Sequence, residues 1–133
     1  MKKKGVILFT LCIISLLTCI AVAYAAVPIY VNYSFRTMGQ NVQWIQPFAS
    51  SGTHRLTTQL VKNGDATLGL SYEKHGLFGI GWSFVGRCNP SVLGKFQVSC
   101  SWVNQGTGNR RGTVVLNTNP GGGTISGSAS LHL

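Results

Sequence analysis

Downstream of residue 25 the chain reads as one all-β domain, an antiparallel sandwich or small barrel of about seven or eight short strands. Three observations predict it. Apolar and polar residues alternate with period two through most of the segment, which buries one side of each strand and leaves the other wet. Clusters of Gly, Asn and Pro punctuate the runs at short intervals. No window shows the apolar spacing of an amphipathic helix.

The strands follow in order. Ile29, Val31, Tyr33 and Phe35 alternate with Tyr30, Asn32, Ser34 and Arg36. Val42, Trp44 and Ile45 mark a second short strand. Leu56 and Leu60 lie in a Thr-rich strand from His54 to Lys62. Asn63-Gly64-Asp65 then predicts a tight hairpin, because Asn-Gly suits the positive φ values of a type I′ turn. Leu68, Leu70 and Tyr72 would return along the partner strand. Phe78, Ile80, Trp82 and Phe84 alternate with Gly79, Gly81 and Ser83, one face large and apolar and the other nearly bare. Alternation assigns most of these rings to the core. Phe96, Val98, Cys100 and Trp102 form the inward face of the next strand, and Val114 and Leu116 mark another. The last strand carries Ile125, Gly127, Ala129, Leu131 and Leu133 between Ser, Thr and His. The stretches Asn104–Gly112 and Asn117–Gly123 are Gly-rich and polar and read as exposed tips.

Ahead of the domain, residues 1–25 read as a helical secretory signal peptide cleaved after Ala25. Lys2, Lys3 and Lys4 supply the positive start, an apolar run reaches Val22, and Ala23-Tyr24-Ala25 places small residues at the cleavage positions. The pattern is bacterial in style. A membrane anchor is the competing reading, since the apolar run approaches spanning length, and Cys19 is a poor match to a lipidation site. The expected product is an exported domain spanning 26–133.

Export changes both charge and cysteine count. Of eleven Lys and Arg, three leave with the signal, so eight cations face Asp65 and Glu73 and the net charge is +6 with His neutral. Such a chain attracts anionic partners within about one Debye length. Of four cysteines, Cys12 and Cys19 leave. Cys88 and Cys100 remain, and in an oxidising compartment they read as a disulfide.

The acid inventory argues against catalysis. With Asp65 in a turn and Glu73 alone at a strand end, no general acid/base pair is in view. His54, His75 and His132 are scattered, and neither H-E-x-x-H nor G-x-S-x-G occurs. No metal site is expected, and no cofactor.

What remains is binding. Arg110 and Arg111 sit together in a Gly-rich stretch, Arg87 precedes Cys88, and Lys95 closes the disulfide loop. If those loops share one end of a sandwich, these four cations form an anion-binding site, Arg offering a planar fork for phosphate or carboxylate. The expectation is a small, basic, non-catalytic binding protein for an anionic cell-surface polymer or a protein partner. A secreted antimicrobial or toxin-like protein and an extracellular structural component are the alternatives. Nucleic acid fits less well, because a stacking platform needs exposed rings and Tyr30 alone is on a polar phase.

Overall fold

The computed structural model describes residues 27–76 and 80–133. The expected signal peptide and Phe78 therefore lie outside the described residues. Among the described residues eight strands form: β1 (Tyr30–Phe35), β2 (Asn41–Ala49), β3 (Gly52–Lys62), β4 (Thr67–His75), β5 (Trp82–Cys88), β6 (Gln97–Gln105), β7 (Gly108–Thr118) and β8 (Ile125–His132).

They make two four-stranded sheets, ordered β1-β8-β3-β6 and β2-β7-β4-β5, with antiparallel neighbours throughout. Consecutive strands alternate between sheets except at β4–β5. This order is that of a jelly roll, which closes a sandwich by wrapping paired strands around it. The core between the sheets holds Tyr33, Phe35, Trp44, Leu56, Leu68, Leu70, Tyr72, Val114, Leu116, Ile125 and Leu131. Each comes from the apolar phase of its strand, so alternation located the core correctly over most of the chain.

Buried polar groups are tied down. The Gln46 side chain accepts from Ile29 N at 2.9 Å and donates to Val27 O at 3.2 Å, fastening the segment before β1 onto β2. His54 donates from Nε2 to Ser50 O at 2.7 Å and accepts at Nδ1 from the Tyr72 hydroxyl. That pairing requires the neutral ring, and burial accordingly pushes the His54 pKa down, with the Ser50 bond opposing and Arg110 reinforcing the shift.

Three expectations need correction. First, Asn63-Gly64 does not close a hairpin. Neither residue has positive φ, and β3 and β4 belong to different sheets. Residues 63–66 instead carry the chain across the sandwich, where Ala66 donates to Gly64 O at 2.8 Å.

Second, the aromatic face of β5 points outward. Phe84 is 64% exposed and Ile80 79%. The cause is a bulge: Gly86 pairs with Tyr72 and Phe84 with Glu73, so Val85 is an extra residue. One inserted residue flips every side chain on one side of it. Cys88 and Gly86 then face inward, while Phe84 and Trp82 face water. Gly86 has a specific use, since a Cβ there would lie 2.3 Å from Trp102 Nε1.

Third, Phe96 is 87% exposed. It precedes β6, and although its carbonyl accepts from Leu60 N at 2.8 Å, its side chain lies beyond the pleated part of the sheet.

Candidate functional site

The outer face of the β2-β7-β4-β5 sheet is built by four strands. From β5 come Trp82, Phe84 and Arg87, from β4 Ser71, Glu73 and His75, from β7 Arg111 and Thr113, and from β2 Gln43 and Ile45. Register sets the rows. Ile45 pairs with Arg111, Arg111 with Glu73 and Glu73 with Phe84. The next row along β4 and β5 pairs His75 with Trp82.

In the middle of this face Arg111 grips Glu73 with two bonds, Nε to Oε2 at 2.6 Å and Nη2 to Oε1 at 2.8 Å. The bidentate geometry aligns the guanidinium, whose pKa is raised by that hydrogen bond above all. Its carbon stands 4.8 Å from the centre of the Trp82 ring, within cation–π range. His75 stacks on Trp82 at 4.8 Å between centroids and 29° between planes. Glu73, read from sequence as a lone acid, is therefore the anchor that holds Arg111 against Trp82. Beside it Phe84 is left exposed.

Arg87 lies further down the same face. It covers Gly69, where a Cβ would fall 2.2 Å from its Nη2. Its Nε donates to Asn89 Oδ1 at 3.1 Å and its Nη2 to Asn117 Oδ1. With amides rather than a carboxylate as partners, Arg87 keeps a net positive charge on the face.

The stretch read as an exposed tip is a tight turn at Gly106–Thr107, and β7 starts at Gly108. Arg110 points inward from β7 and is only 3% exposed. Lys95 lies in the β5–β6 connection, where its carbonyl accepts from Asn63 Nδ2 at 2.6 Å. That is the opposite end of the sandwich from Arg110. The four cations are thus separated: Arg111 and Arg87 share the outer face, Arg110 lies beneath it, and Lys95 is at the far end. Trp82 and Phe84 are the outer-face residues that sequence reasoning missed. A signal for Arg110 existed, because the inward phase of Val114 and Leu116, extended back through Gly112, places Arg110 inside.

Cys88 and Cys100 form the expected disulfide, with Cα atoms 6.3 Å apart. Their strands are consecutive but lie in different sheets, so the bridge staples the two sheets along one edge. Beneath it the β5–β6 connection packs down: Val92 is fully buried and donates to Ala66 O at 3.0 Å. Among the described residues no group of three or more His, Cys, Asp or Glu side chains converges on a metal-sized site.

These features define an eight-stranded jelly-roll sandwich with an aromatic and cationic outer face. Comparison with solved structures finds the same architecture in proteins of distant sequence. The Yersinia pseudotuberculosis-derived mitogen superposes with a TM-score of 0.52 at 15% identity, over 80% of this chain and 87% of that one. A protein from Sulfurospirillum deleyianum gives 0.57 at 7% identity, over 80% and 97%. A family 35 carbohydrate binding module from Clostridium thermocellum gives 0.50 at 13% identity, over 80% and 98%. At such identities the likeness shows a shared fold. No protein-family model matches the chain, and no curated protein does.

Proposed function

We propose that this chain is a non-catalytic binding protein that works outside the cytoplasm and takes an anionic polymer across the outer face of the β2-β7-β4-β5 sheet. The observation that carries the reading is the placement of Trp82 and Phe84 on the solvent side of β5, next to Arg111 and in the same sheet face as Arg87. Burying rings is the main force that folds a sandwich this small, so large rings left outside by a bulge call for a partner. Aromatic and Arg side chains are the groups that most often dominate recognition surfaces. Net positive charge draws the polymer in, and the rings supply contact area that salt does not screen.

Two further points support it. The disulfide accords with an oxidising compartment, the destination that the expected export signal implies. One protein of this fold is itself a carbohydrate binding module, so the architecture serves non-catalytic recognition there.

The test is retention on an immobilised sulfated or phosphorylated polymer, with a neutral glucan as control. The protein is expected to bind the polyanion and elute with moderate salt. A Trp82→Ala/Phe84→Ala variant should bind at least tenfold more weakly while staying folded. Unchanged retention of that variant would overturn the reading.

A further inference from the structure

At the end of the sandwich where β4 and β6 finish and β5 and β7 begin, a cleft of about 520 Å³ opens between the sheets. Lys74, His75, Ser83, Asn104, Gln105 and Arg110 line it. Arg110 is nearly all buried, yet it meets no carboxylate. Its Nη1 donates to Asn109 O at 3.1 Å and its Nη2 to the carbonyls of Gly106 and Thr107. Its Nε is buried with no hydrogen-bond partner among the described residues. The sequence holds two acids. Glu73 is gripped by Arg111 on the outer face, and Asp65 lies in the β3–β4 connection at the other end. Neither acidic side chain of the chain therefore balances the charge of Arg110.

A second cation makes the imbalance worse. Lys74 is the direct cross-strand partner of Arg110. Like charges in that position repel, and a buried charge that no opposite charge offsets is costly. At the lip of the cleft Asn104 has a φ of 54°, the left-handed conformation that Asn adopts more readily than most residues with a side chain.

We infer that this cleft binds a compact oxyanion, a carboxylate or phosphate group, between Lys74 and Arg110. One bound anion supplies the missing counter-charge for both cations. Lys74 reaches it from the solvent side, the Arg110 guanidinium forms the floor, and the Ser83 hydroxyl and the Asn104 and Gln105 amides line the walls. The site borders the polymer face at His75, which lines the cleft and stacks on Trp82, but its cations Lys74 and Arg110 lie on the inward phase of their strands and neither Trp82 nor Phe84 lines it.

The experiment is a thermal-shift and calorimetric titration of the whole protein with inorganic phosphate, acetate and a phosphomonoester, at constant ionic strength set by chloride. Saturable binding with a rise in Tm is expected for wild type, weakened at least tenfold in Lys74→Gln and retained in Phe84→Ala. Binding of the phosphomonoester alone would assign the site to the end group of a larger ligand, and binding of inorganic phosphate as well to the free ion. Arg110→Gln should lose binding too. Lys74→Gln, at an exposed position, keeps the inference testable even if Arg110→Gln fails to fold. No binding beyond the chloride control, or equal affinity in Lys74→Gln, overturns the inference. Loss of the polymer face in Trp82→Ala/Phe84→Ala with phosphate binding intact separates this site from that reading.

Discussion

Arg110 and Arg111 are neighbours in the chain and face opposite sides of β7. Arg111 lies on the outer face in a two-bond grip with Glu73, while Arg110 is buried above Tyr72 and His54 with no carboxylate. A strand sends successive side chains to opposite faces, so a dibasic pair supplies two different sites and not one doubled charge.

The Glu73–Arg111 pair makes a prediction with two opposed signs. Both side chains are about one-fifth to one-quarter exposed, at 18% and 25%, so the bridge is worth about 1 kcal/mol after solvent screening. Glu73→Gln should lose that much stability in urea denaturation. It should also bind polyanion more tightly, eluting at higher salt, because the face loses its acid.

Removing the staple should cost more. Cys88 and Cys100 are 12 residues apart, for which the chain-entropy model gives about 3 kcal/mol. In a domain of this size that lowers Tm by roughly 10 °C or more. Calorimetry of the Cys88→Ser/Cys100→Ser variant beside the oxidised protein checks it.

Glycine positions should divide sharply. A Cβ on Gly127 would fall 2.1 Å from the backbone oxygen of Gln59, an atom the sheet ladder holds in place. Gly127→Ala should cost about 2–3 kcal/mol. Gly121 has no atom within 4 Å of the same position, so Gly121→Ala should be nearly neutral in the same denaturation assay.

Stability should fall on both sides of neutrality. Burial holds the His54 pKa below its usual 6.5. The unfolded chain then takes up a proton at a pH where the folded chain does not, and stability is lost as pH falls from 6.5 through the folded value. Tyr72 behaves oppositely. Burial, opposed by Arg110, pushes its pKa up to about 12 from 10.0. Its contribution is whole below pH 10 and lost as pH rises from 10 toward 12. Urea midpoints from about pH 5 to about pH 11 test both limbs, and His54→Gln should flatten the acid one.

Much of the fold was legible because apolar phase and burial agree wherever a strand carries several large side chains. Leu68, Leu70 and Tyr72 are such a run, as are Ile125, Ala129 and Leu131. The disulfide followed from the count of cysteines. Legibility failed at two places with one physical root: the Val85 bulge and the inter-sheet crossing at 63–66 depend on which strands become neighbours, and local spacing does not encode pairing. The aromatic outer face was hidden for that reason: a bulge of one residue turned Trp82 and Phe84 from expected core into surface. Arg110 is a different case, since its inward phase is legible but its charge and Gly-rich surroundings point to an exposed tip.

An anionic polymer bound as proposed would lie against Trp82, the one tryptophan on the outer face. The chain has three tryptophans; Trp44 is buried and Trp102 stacks on Tyr72 at 4.9 Å inside the sandwich. In an NMR titration with a sulfated or phosphorylated oligomer, the Trp82 indole signal and the amides of 82–87 and Arg111 should move together and saturably. A Trp82 signal that stays fixed while the oligomer binds elsewhere, or while nothing moves at all, would contradict the proposed function.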